Sequence, residues 1–334
     1  MSKSTRRDLI KQVAVLGVGA VAAENARLLA NTTSDRVEQD RGSADFFPGF
    51  KQLKATTSGA VINYVTGGSG PGLLLLHGSP ESHIMWRKIA PQLAEKFTVV
   101  IPDLRGYGDS SKPADGQNHS GYSKRAMAQD QVELMGSLGF KSFAVVGHDR
   151  GGRVAHRMAL DHVDAVERVA VLDIVPTYKY LHSVTKELAT ASFHWFFLIQ
   201  PAPFPETLIG NSVEFYLKYM MLDRAVTPGA IEEQAFAEYV RCFRNPGTIH
   251  ANCEDYRAGA SIDLEHDEAD LNRKISCPVL ALWAEKGTTH RLFDVLETWK
   301  ERASNVSGKP LPAGHFLPEE APQAVLEELK RFLG

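Results

Sequence analysis

The clearest chemistry in the chain lies in six consecutive residues, Gly147-His148-Asp149-Arg150-Gly151-Gly152. The apolar run Phe143-Ala144-Val145-Val146 precedes them, and a helical pattern opens at Arg153-Val154-Ala155-His156-Arg157-Met158. Strand, sharp turn and helix in that order expose the residue at the tip. Small neighbours let the turn close and the helix pack against the strand. The tip is Asp149. An aspartate there is either a helix N-cap or a nucleophile that attacks carbon and forms an ester. The glycines on both sides favour the nucleophile. Arg150 follows directly, and Arg153 lies about one helical turn on. Two cations beside a carboxylate nucleophile point to an anionic substrate.

Such a nucleophile needs a base, and the base needs an orienting acid. In a fold with this elbow the base comes late, after the last strand. His315, in Gly314-His315-Phe316, is the only histidine in that region. Several positions compete for the acid. Asp173 closes the strand after the elbow strand, while Glu285 and Asp294 follow the next strand, the more usual place. Position alone leaves the choice open. His77-Gly78-Ser79-Pro80 follows the apolar run Leu73-Leu74-Leu75-Leu76. The backbone N–H groups of Ser79 and Arg150 are therefore the candidate oxyanion donors.

Alternating strands and helices must hold these groups. Phe50 to Ala55 and Ala60 to Thr66 predict a hairpin around Thr57-Ser58-Gly59. Further strands are expected at Leu73–Leu76, Phe97–Ile101, Phe143–Val146, Val169–Ile174, Cys277–Trp283 and Ser304–Leu311, with helices over Ser123–Leu138 and Ala321–Phe332. This is the pattern of an α/β-hydrolase fold, a doubly wound and mostly parallel sheet. Asp103 and Arg105, in the loop after the fourth strand, are expected to pair and hold it. Residues 176–271 break the pattern. They are aromatic-rich and helical, with prolines at 201, 203, 205, 228 and 246, and predict a helical cap. The core is then 42–175 with 272–334, and the site lies between core and cap.

The chain has 334 residues, 43% hydrophobic and 23% charged, as an ordinary globular protein does. A net charge of -3 gives no reason to expect nucleic acid as a partner. Cys242, Cys253 and Cys277 form no C-x-x-C and are expected to be buried. Nothing in the pattern implies a metal or organic cofactor. At the N-terminus, Arg6-Arg7 precedes the weakly apolar, Gly/Ala-rich run from Val13 to Ala23. That resembles a twin-arginine export signal and predicts a periplasmic enzyme, or a cytoplasmic one if the leader is not a signal. The run is too short for a permanent membrane anchor. Ala20-Val21-Ala22 has the small-x-small form of a cleavage site, and residues 1–41 are assigned to leader and linker.

Several stretches together resemble the haloacetate (fluoroacetate) dehalogenases. They are His77 to Trp86, Asp103 to Pro113, Gly147 to Arg153, His194-Trp195, Cys253-Glu254-Asp255-Tyr256-Arg257, and Gly314 to Glu320. The resemblance runs from Phe46 to the C-terminus. It implies Asp149 as nucleophile, His315 as base and Asp173, ahead of Glu285, as acid. It implies Arg150 and Arg153 as carboxylate ligands, and His194, Trp195 and Tyr256 as halide donors. The substrate is then a small haloacetate, hydrolysed through an aspartyl ester. Ser79 stands where such enzymes often have an aromatic residue, which widens the pocket. An epoxide hydrolase with the same Asp/His chemistry is the rival, with Tyr180, Tyr216, Tyr219 and Tyr239 available as acids. Against it, a buried Arg150 needs an anion. A non-catalytic ligand receptor is the third alternative. Oligomeric state is open, with a homodimer as candidate.

Overall fold

Leu73-Leu74-Leu75-Leu76 has no polar face, so a strand made from it needs cover on both sides. In the computed structural model, which describes residues 46–334, β3 (Gly72–Leu76) is buried along its whole length. The same holds for β5 (Phe143–His148) and β7 (Val279–Ala284). The remaining strands are β1 (Lys51–Thr56), β2 (Val61–Gly67), β4 (Thr98–Pro102), β6 (Val166–Leu172) and β8 (Val306–Leu311). They form one eight-stranded sheet in the order β1-β2-β4-β3-β5-β6-β7-β8. β1 and β2 make the expected hairpin, and β2 meets β4 antiparallel. Every other pairing is parallel. Residues 1–41, assigned to leader and linker, lie outside the described residues. Among the described residues, no helix is long and apolar enough to cross a membrane.

Parallel neighbours require crossovers. Helix α1 (Lys124–Ser137) leads into β5, and α2 (Asp149–Asp161) joins β5 to β6. Ser123 caps α1, its Oγ accepting from Ala126 N. Between β6 and β7 the chain is helical, from Thr177 to Ala269. Among the helices that reach the site are α3 (Phe193–Leu198) and α4 (Thr248–Gly259). Helix α5 (Pro322–Leu333) ends the chain.

Two sequence expectations fail in the fold. Asp103 and Arg105 do not pair with each other. Asp103 is fully buried and accepts from His83 Nδ1 at 2.8 Å, Asn63 Nδ2 at 2.9 Å and Asp109 N at 2.9 Å. Arg105 instead grips Asp130 of α1, Nε to Oδ2 at 2.5 Å and Nη2 to Oδ1 at 2.7 Å. The loop is thus held from two sides, each charge by its own partner. Cys242 and Cys253 are buried, but Cys277 is only half-buried, because β7 begins after it.

Glycine matters most where α2 meets the sheet. A Cβ on Gly151 would sit 2.5 Å from His77 O and 2.6 Å from Leu76 O, both backbone atoms that cannot swing away. Gly136, on α1, has open space around it. We expect Gly151→Ala to cost at least about 1–3 kcal/mol. Gly136→Ala should add about 0.5–1 kcal/mol. Urea unfolding midpoints of the two variants check both signs.

Candidate active site

The turn from β5 into α2 leaves its tip in a strained conformation. Asp149 has φ +45°, the left-handed region that residues with a Cβ avoid. Its neighbours make room: a Cβ on Gly147 would lie 2.4 Å from Gly151 O. A Cβ on Gly78 would lie 2.7 Å from Asp149 Cβ, so the loop after β3 runs directly beneath the nucleophile position. Ser79 N donates to Asp149 Oδ1 at 3.1 Å. Arg150 is the second residue of α2, so its N–H has no intrahelical acceptor. Both oxyanion donors expected from the sequence therefore adjoin Asp149.

Asp173 is the second strained residue of the site, with φ +52° just past the end of β6. Its Oδ1 accepts from Ala284 N at 3.0 Å, and its Oδ2 accepts from His315 Nδ1 at 2.6 Å. A proton on Nδ1 leaves Nε2 as the basic nitrogen of His315. Glu285 is exposed, and Asp294 caps the next helix, accepting from Glu297 N at 3.1 Å. Of the three candidate acids, Asp173 alone reaches the imidazole.

A group that the sequence reasoning passed over sits behind this pair. Fully buried His148 has Nδ1 at 3.0 Å from Glu81 Oε2 and Nε2 at 2.8 Å from the backbone O of His315. Both neighbours are acceptors, so both ring nitrogens donate and the ring is an imidazolium. Burial alone would lower its pKa, but Glu81 raises it to about 9. The signal was legible in Glu81 of the His77–Trp86 motif and in His148 of the elbow itself.

A small cavity of about 80 Å³ brings the pieces together. Ser79, Asp149, Asp173 and His315 line it from the core, and Arg153, His194, Trp195 and Tyr256 line it from α2, α3 and α4. The three aromatic rings form one cluster: Tyr256 is 5.8 Å from His194 and 5.2 Å from Trp195 between centroids. Arg153 lies 4.7 Å over Trp195 and donates from Nη1 to Val175 O and Thr177 Oγ1, each at 3.0 Å. Its Nε is buried without a partner. Arg224, a further lining residue, was not singled out, and Tyr180 was named only as a possible acid. Helical spacing alone does not tell which side of a short helix faces a cavity.

Arg150 departs from the sequence expectation. It is fully buried and absent from the cavity wall. Its Nε and Nη2 bind Asp255 Oδ2 and Oδ1 at 2.9 and 2.8 Å, a two-pronged pair. Lys124 bonds the same carboxylate. The anion that Arg150 needs is thus supplied by the protein, and its presence alone does not argue against an epoxide substrate. Its Nη1 remains buried without a partner.

These charges set the ionisation of the site. Burial pushes the Asp149 carboxyl up, but the charges of His315, His148, Arg153 and Arg150 outweigh it and hold it at about 2. Burial, then the charge of Arg224, lowers His194 to about 3, so its imidazole is neutral. Burial and nearby Asp149 keep the Tyr256 phenol protonated. The cavity therefore holds an ionised Asp149, a His315 backed by Asp173, and the neutral side chains of His194 and Tyr256.

The alpha/beta hydrolase fold family matches residues 71–322. The chain belongs to that family. A fluoroacetate dehalogenase from a Burkholderia species is 46% identical over 288 residues, covering 86% of this chain and 95% of that protein. A soluble epoxide hydrolase from Corynebacterium sp. (strain C12) is 41% identical over 283 residues, covering 84% and 96%. The crystal structure of ALR0039 from Nostoc sp PCC 7120 superposes with a TM-score of 0.84 at 58% identity, covering 85% of this chain and 98% of that one. This hydrolase is thus related to enzymes of two different reactions.

The His148–Glu81 pair predicts a pH signature for the hydrolase. A raised folded pKa contributes stability that is complete below the unfolded value of about 6.5. It is lost as pH rises through about 9. Unfolding free energy should fall across that window. His148→Gln should cost about 3–5 kcal/mol at pH 7, by stranding Glu81. It should also flatten the fall, which urea titrations at pH 6 and pH 9.5 measure.

Proposed function

We propose that this hydrolase cleaves the carbon–halogen bond of a small 2-halo acid, through an ester on Asp149. One observation carries this choice over the epoxide reaction. Arg153, 4% exposed, faces the cavity beside Asp149 with no carboxylate partner among the described residues. A buried, unpaired guanidinium is costly unless a ligand supplies the anion. An acid substrate does so, and an epoxide does not.

The geometry supports the following steps. Arg153 holds the substrate carboxylate, and the field of Arg150 adds to its hold from one layer behind. Asp149 Oδ1 is tied to Ser79 N, so the other oxygen attacks C2. A C–O bond forms, and the C–X bond breaks with its electron pair on the halide. Donors from His194, Trp195 and Tyr256 receive that developing charge, which lowers the barrier rather than the ground state. His315 Nε2 then takes a proton from water, and the hydroxide attacks Asp149 Cγ. The N–H groups of Ser79 and Arg150 hold the tetrahedral oxyanion until it collapses, when the bond from Asp149 Cγ to the ester oxygen breaks, the leaving alkoxide takes the proton back from His315, and the 2-hydroxy acid departs. Asp173 keeps the imidazole oriented and balances its charge.

The epoxide reading draws on a separate observation. Tyr180 and Tyr256 both line the cavity, and Tyr180 O–H donates to Ser192 Oγ at 2.5 Å. Of the other three tyrosines weighed, Tyr216, Tyr219 and Tyr239, none lines the cavity; Tyr239 donates to Glu319, and Tyr219 is 45% exposed.

Halide release from fluoroacetate and chloroacetate, run beside hydrolysis of styrene oxide, separates the two. We expect halide release that falls by about 10⁴-fold or more in Asp149→Asn. Turnover of the epoxide alone overturns the proposal. We further expect Trp195→Phe to cost about 2–4 kcal/mol of barrier for fluoroacetate. The loss should be smaller for chloroacetate, since chloride accepts hydrogen bonds less strongly; steady-state kcat on the two acids reads the difference.

A further inference from the structure

Two arginines line the cavity without an acid partner among the described residues: Arg153 and Arg224. Their surroundings differ. Arg153 is almost fully buried and anchored beside the nucleophile. Arg224 is half-buried, nearer solvent, and its one hydrogen bond runs from Nη2 to Ala191 O at 3.1 Å. Its charge reaches into the site, because it depresses the His194 pKa. The carboxylates on the cavity wall are Asp149 and Asp173, and His315 engages Asp173. The carboxylate next to the reacting carbon is already served by Arg153, with Arg150 behind it. Arg224 has no such duty. Ser192, next to the Ala191 carbonyl that holds Arg224, lines the same cavity, as do the small polar side chains of Ser79, Thr288 and Thr289.

We infer that the cavity takes a 2-halo acid bearing a second carboxylate further along its chain, and that Arg224 binds that second carboxylate. The inference rests on the dehalogenase reading above. The reaction is the same displacement: Asp149 bonds to C2, the halide leaves with its electron pair, and water hydrolyses the ester. The product is a 2-hydroxy dicarboxylate. A guanidinium fits this role because it grips a carboxylate with two parallel N–H groups.

The test compares 2-chlorosuccinate with 2-chlorobutyrate, both racemic. Their four-carbon chains match, and only the first ends in a carboxylate. The wild-type enzyme should favour chlorosuccinate at least tenfold in kcat/KM. Arg224→Gln should reduce that ratio at least tenfold, mainly through KM, and Arg224→Lys should retain part of it. Circular dichroism checks that the glutamine variant folds. If it does not, the lysine variant and the fall of the ratio between 0.05 and 0.5 M salt carry the test, since a partly exposed charge pair is screened. Equal rates on the two acids, or a ratio unmoved by the substitutions and by salt, would overturn the role of Arg224 alone. Release of halide from neither of these nor from chloroacetate would overturn the dehalogenase reading, and this inference with it.

Discussion

The site depends on one close approach: the first turn of α2 pressed against the carbonyls that end β3. Gly151 touches Leu76 and His77 there, and Gly147 touches Gly151. Any side chain at those positions would lift the helix. With the helix seated, Asp149 has no choice but a left-handed backbone, and its carboxylate projects over the loop carrying Ser79. The strain is local and the sheet bears it. β5 is bonded on both sides, to β3 and β6, so the elbow cannot relax by moving its strand.

Charge follows from that geometry. Placing Asp149 under a helical roof desolvates it, and it stays ionised only because cations surround it. His148 provides one from within the elbow, kept protonated by Glu81 and the His315 carbonyl. Arg150 provides another, but it shares the Asp255 carboxylate of α4 with Lys124 of α1. That buried pair therefore ties α4 to the elbow as well as biasing the nucleophile. Breaking one partner would strand the other. Asp149, His315 and the adjoining N–H groups would serve the dehalogenase and epoxide readings equally, since both proposals run through an ester on Asp149. The two readings part at Arg153, which lines the cavity beside Asp149 without a carboxylate partner among the described residues.

Much of this was legible in the sequence, for physical reasons. Continuous apolar runs mark buried parallel strands, and glycines around a single aspartate mark a turn with no room for side chains. His315 was identifiable because chain order places the base after the last strand. Side-chain partners were less accessible. Arg150 meets Asp255 across 105 positions of sequence, and a pairing rule based on neighbours led Asp103 to Arg105 when each had a more distant partner. In the helical segment, short helices broken by prolines blur which face points inward. His194, Trp195 and Tyr256 were placed by resemblance; Arg224, and which of the candidate tyrosines lines the cavity, needed the fold.

The central claim is that Asp149, and not water, attacks the substrate carbon. A single turnover of chloroacetate in H₂¹⁸O, followed by mass spectrometry of the product and of the peptide containing Asp149, tests it directly. The ester route puts ¹⁸O into the Asp149 carboxylate and delivers glycolate with an unlabelled oxygen from the enzyme. Label in the glycolate with none in the peptide would mean direct attack by water, and would contradict the elbow's role as the source of the nucleophile.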